Sequence, residues 1–118
     1  MNDYKTYKAN MSKIDGLNKV RNVIPININE SELHLETKLK VCRLLRMKGF
    51  DFYCEAKFKS KTGRADIYLP QVDKVIEILC SEKEKQAILK SDKYPVSDIF
   101  FFKTGDDLNK IEEWLECE

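Results

Sequence analysis

Cysteine is sparse and scattered: Cys42, Cys54, Cys80 and Cys117 form no closely spaced pair. Neither a metal-ligand set nor a disulfide framework is expected from them, and three fall in apolar runs that suit reduced core or interface residues. Glycine is equally scarce, four in all, and none forms the glycine-rich loop that cradles a nucleotide phosphate. The sequence has no apolar N-terminal signal segment and no uninterrupted apolar stretch of membrane-spanning length, so a soluble intracellular or cytoplasmic protein with no membrane partner is expected. No internal repeat or low-complexity segment appears. Net charge is also nearly absent: 21 basic against 20 acidic residues leave only +1. The total therefore says little about partners.

What is present fits one domain. The 118 residues are 42% hydrophobic and 35% charged, enough for a modest core under a strongly solvated surface. Charge is unevenly distributed. Between Lys38 and Arg64 stand nine basic residues and two acidic ones, whereas Asp106 to Glu118 holds six acidic residues and only Lys110. A fold that gathered the basic segment around a cleft would attract a polyanion. Ordinary solvated helix and hairpin surfaces explain the same pattern without any ligand.

Residues 1–30 are weakly periodic and read as an N-terminal strap or arm, with residues 31–118 forming the domain. Ile24, Ile26 and Ile28 alternate, but Pro25 argues against a central strand. Asn29 and Glu32 read as a capping pair for a helix over Ser31 to Lys48, in which Leu35, Leu39, Cys42 and Leu45 recur at helical spacing and Gly49 supplies the stop. Phe50 to Lys59 and Arg64 to Leu69 alternate as hairpin strands around a turn at Ser60 to Gly63. Lys74 to Cys80 forms a third strand. Ser81 and Glu84 box the start of a helix to about Lys90, Val96 to Phe102 reads as a strand, and Leu108, Ile111 and Leu115 mark a terminal helix. The expected fold class is α/β, a small mixed β-sheet with flanking helices.

Alternation puts Asp66 on one face of the second hairpin strand and Glu77 on one face of the third. If those faces match, two carboxylates on adjacent strands come within reach of one cation. Oxygen ligands suit Mg2+ or Mn2+. At these residues the chain resembles the PD-(D/E)XK nuclease superfamily, which includes restriction endonucleases and archaeal Holliday-junction resolvases. The resemblance spans roughly residues 31–102 and implies a restriction endonuclease-like αβββαβ core. Its metal-binding aspartate matches Asp66 in Gly63-Arg64-Ala65-Asp66-Ile67-Tyr68, its strand glutamate matches Glu77 in Val75-Ile76-Glu77-Ile78-Leu79, and its helix-borne glutamate best matches Glu36. The implied function is divalent-metal-dependent DNA endonuclease activity, with Asp66 and Glu77 as metal ligands and Glu36 as a direct or water-mediated third.

One position departs from the pattern. Where the superfamily carries a lysine two residues after the glutamate, this chain has Leu79, which can neither orient water nor stabilise developing negative charge. Lys83 and Lys57 are the candidate substitutes, and Gln86 lies near a supporting polar position. Lys40, Arg43, Lys59, Lys61 and Arg64 are the expected DNA-backbone contacts. His34, the single histidine, reads as surface or capping-region chemistry. Structured or branched DNA is the expected partner class, with a homodimer to engage paired strands. The alternatives are a catalytically inactive nuclease-like domain that binds nucleic acid or protein, which Leu79 favours, and an unrelated small interaction domain.

Overall fold

A computed structural model describes residues 4–15, 20–59, 63–80, 88–89 and 94–116. In chain order the elements are α1 (Tyr4–Met11), α2 (Glu32–Met47), β1 (Tyr53–Ala56), β2 (Ala65–Leu69), β3 (Lys74–Leu79), β4 (Asp98–Lys103) and α3 (Asn109–Glu116). The four strands make one mixed sheet in the order β1-β2-β3-β4. The β1/β2 and β2/β3 pairs are antiparallel and β3/β4 is parallel. The expected mixed α/β architecture is therefore present. The helix expected from Ser81 to Lys90 lies outside the described residues except for Ile88 and Leu89, which are helical. No helix among the described residues is long and apolar enough to cross a membrane.

The sheet is covered on both sides. One core packs Val41, Cys42 and Leu45 of α2 and Ile111 and Leu115 of α3 against Ile67, Leu69, Ile76, Ile78 and Phe102. Strand β3 is buried along its whole length, which explains its apolar residues Val75, Ile76, Ile78 and Leu79 on both faces and leaves Glu77 as a buried charge between them. The second core joins Phe58, Tyr68, Val75 and Tyr94 to Ile14. Ile14 bridges to Phe58, and the Asn10 side chain donates to the Pro70 carbonyl at 2.7 Å. The N-terminal segment is thus partly a core element. Residues 23–27 form no strand, in keeping with Pro25.

Three local details differ from the sequence reading. The N-cap of α2 is Ser31, whose Oγ accepts from the His34 amide at 3.1 Å, and Asn29 instead donates its amide to its neighbour Asn27. The buried stripe of α2 runs through Thr37, Lys38, Val41, Cys42 and Leu45, whereas Leu39 is 55% exposed. The helix is rotated so that a lysine takes a place that periodicity gave to leucine. The first hairpin strand is also shorter than expected, ending at Ala56, and within it Glu55 adopts φ 51°. A left-handed residue breaks the pleat of a strand.

Candidate functional site

Asp66 and Glu77 face one another where the β2/β3 ladder stops. Its paired positions run Leu69 with Lys74, Tyr68 with Val75 and Ile67 with Ile76, and the next pair in register would be Asp66 with Glu77. Side chains take over there. The Asp66 amide donates to Glu77 Oε2 at 3.1 Å, and the Ile78 amide donates to Asp66 Oδ2 at 2.8 Å. Each carboxylate satisfies a backbone donor of the opposing strand that would otherwise be left unpaired. Glu55 occupies the same level on β1, between the pairs Cys54 with Ile67 and Ala56 with Ala65. One acid from each of three adjacent strands therefore forms a row across the sheet.

The N-terminal end of α2 brings a second set of charges to this row. Glu30, His34 and Lys38 are spaced four apart, so they align along one side of the helix and the turn before it. His34 Nδ1 bonds the Glu30 carboxylate, and its Nε2 lies 3.5 Å from Asp66 Oδ2. Lys38 Nζ sits 2.8 Å from Glu30 and 3.7 Å from Glu55. Arg64, at the rim, is 3.4 Å from Glu55. These residues line an open cleft of about 560 Å³. A neighbouring cleft of about 550 Å³ shares Asn27, Glu55 and Arg64 with it and is otherwise walled by aliphatic residues such as Val20, Val23 and Ile26.

The electrostatics of the cleft favour the charged forms of its cations. The Asp66 carboxylate raises the His34 pKa above its usual 6.5, burial opposes the shift, and Glu30 adds to it. Lys38 is only 1% exposed. Burial works against its charge, but Glu30 more than compensates and leaves its pKa raised. Tyr94, which donates to the Arg64 carbonyl at 2.9 Å, is held protonated by burial and by the nearby charges of Glu77 and Asp66.

The expected site residues divide sharply. Asp66 and Glu77 come together as the strand pattern implies. Glu36 is exposed on α2 and is not among the residues lining the cleft; it stands two positions from His34 and so projects from another side of the helix. Lys57 is half-buried, and its backbone carbonyl accepts from the Asp15 amide. Lys40, Arg43 and Lys59 are exposed and also absent from the cleft lining, whereas Arg64 is on its rim. Lys61, Lys83 and Gln86 lie outside the described residues. His34 is a cleft residue rather than surface chemistry, and Lys38 is buried rather than part of a solvated face. Glu30 was missed altogether. The signal that points to it is the Glu30, His34, Lys38 spacing, hidden because Glu30 precedes the helix.

A family model for the nuclease-like domain of competence protein CoiA matches residues 30–101. The chain belongs to this family. The match opens on Glu30, so the CoiA nuclease-like region includes the charges that line the cleft, Glu30, His34, Lys38, Glu55, Arg64 and Asp66, together with Glu77, which is buried and is not among the lining residues. No curated protein and no solved structure matches the chain. Among the described residues no three His, Cys, Asp or Glu side chains form a ready-made metal cage. The carboxylates and imidazole of this CoiA nuclease-like domain instead face a cleft that they share with Lys38 and Arg64.

Proposed function

We propose that the domain is a divalent-metal-dependent DNA endonuclease of the PD-(D/E)XK type, hydrolysing phosphodiester bonds in the cleft between β2, β3 and α2. The observation that carries this reading is the Asp66 and Glu77 pair at the opened ladder. Membership of a nuclease-like family supports it. A two-carboxylate set fits Mg2+ or Mn2+, which keep several waters and complete their shells with substrate phosphate oxygens. Such an ion supplies charge neutralisation at phosphorus and an activated water.

The chain's own residues supply the rest. Asp66 and Glu77 are fixed by the strand amides they accept, so their orientation needs no further ordering when substrate arrives. Lys38 is the described lysine that reaches the cleft and is our candidate for the role that Leu79 cannot perform: it holds a positive charge beside the acid row without access to bulk water. Arg64 at the rim would bind a flanking phosphate. Exposed Lys40, Arg43 and Lys59 would add salt-dependent backbone affinity. Engagement of branched DNA would take a homodimer, one active site per strand.

A second reading, an inactive nuclease-like binding domain, is favoured by one observation. Lys38 is held between Glu30 and Glu55, and a lysine committed to two carboxylates has less to give a phosphate. The two readings separate in a cleavage assay on linear and branched DNA with Mn2+, Mg2+ or chelator. The expected result is chelator-sensitive cleavage that Asp66→Ala and Glu77→Ala each reduce by at least about 100-fold. DNA binding without cleavage under any metal condition would establish the inactive form.

A further inference from the structure

The cleft contains one donor that the two-carboxylate reading leaves unused. His34 Nε2 lies 3.5 Å from Asp66 Oδ2, longer than a normal N–H to O hydrogen bond. Two ligands of one cation, each about 2.1 Å from it, are separated by about 3.0 Å at a right angle and about 3.5 Å at a tetrahedral one. The gap is therefore the width of a shared ion. The other ring nitrogen is already engaged: Nδ1 bonds Glu30, so Nε2 is the ring atom that faces Asp66 and the one that would bind a metal on giving up its proton. A carboxylate behind a histidine is the usual support of an imidazole ligand, since it fixes the tautomer and the ring plane. The Glu30 side chain is only 8% exposed and has Lys38 beside it. Its Oε1 has no hydrogen-bond partner among the described residues.

We propose that His34 is the nitrogen ligand of the cleft's divalent cation, paired with Asp66 and oriented by Glu30. This rests on the metal-dependent reading above and goes beyond it by naming the class of ion. Imidazole shifts selectivity away from Mg2+ and Ca2+ toward Mn2+, Co2+ and Zn2+. Glu36 has no part in this ligand set, and water or substrate oxygens complete the coordination.

His34 is the only histidine in the chain, so one isotopic label reports on it alone. The test is pulsed electron paramagnetic resonance of Mn2+ bound to tag-free protein carrying 15N-histidine, beside Co2+ and Mg2+ titrations by calorimetry. Expected are a 15N coupling to Mn2+ in the parent and Co2+ affinity weakened by about 10- to 100-fold in His34→Ala and Glu30→Gln, with a smaller loss for Mg2+, which depends less on a nitrogen ligand. Far-ultraviolet circular dichroism checks that the variants are folded. The labelled parent answers the question even if they are not. Mn2+ bound without 15N coupling, and lost in Asp66→Asn, would overturn the histidine ligand while leaving the carboxylate site intact. No binding of any of the three ions to the parent would overturn both.

Discussion

Lys38 is the residue whose setting constrains the site most. Its ammonium is almost inaccessible and lies between Glu30 and Glu55. Removing one partner of a buried pair costs about 3–5 kcal/mol, because the other charge is left without compensation. Lys38→Met should therefore destabilise the domain by that amount in urea unfolding. The double variant Lys38→Met with Glu30→Gln should recover much of the loss. His34 sets a pH dependence of its own. A histidine whose folded pKa is raised contributes stability that is complete below the unfolded value, about 6.5, and disappears as pH rises through the folded value. Melting of chelator-treated protein should show the parent losing stability relative to His34→Gln as pH rises above about 6.5.

The acids were legible to different degrees. Asp66 and Glu77 could be read because a strand has a period of two, and the two faces happened to match. Glu30 could not, because it lies one residue before the helix cap and carries no periodic signal of its own. Glu36 entered by another route, as the best match to the superfamily's helix-borne glutamate.

At the scale of elements, α2 lies within a residue of its expected span at each end, but its cap stands two residues after the expected Asn29. Asn29 with Glu32 and Ser31 are both chemically reasonable caps, and only the chain path selects Ser31. Ser31→Ala should cost about 1 kcal/mol of unfolding free energy, whereas Asn29→Ala should leave it nearly unchanged; chemical denaturation of the two variants distinguishes them. The existence of β2, β3 and β4 was legible in their apolar runs. Their order was partly so, since a hairpin needs only a short turn while the parallel β3/β4 pair needs a crossover. The left-handed backbone at Glu55 was not legible, because nothing in the identity of that residue announces it. Such conformations persist where surrounding contacts over-determine them, often beside functional groups, and Glu55 is held by Lys38 and Arg64.

Across the whole molecule, the sheet divides two cores, and the N-terminal segment belongs to one of them. Ile14 is fully buried with Phe58 and Tyr68, and Lys13 binds Asp73 and the Pro95 carbonyl, both at 2.8 Å. The family match begins at residue 30, yet the packing begins well before it. Ile14→Ala should lower stability by about 2–5 kcal/mol, the range for a large-to-small change in a core, as read by the denaturation midpoint. A surface strap would show almost no change. The exposed Ile26 and Ile28, at 83% and 93%, belong to the arm after this anchor, which is why their alternation resembled a strand without making one.

The place where β2 and β3 stop pairing has a mechanical meaning as well as a chemical one. Two strand amides, those of Asp66 and Ile78, are closed by side-chain oxygens rather than by backbone carbonyls. Whatever draws on either carboxylate therefore also pulls on the backbone of the opposite strand. The sheet is in this sense a lever arm of its own site, and the resonances of those two amides are its natural strain gauge.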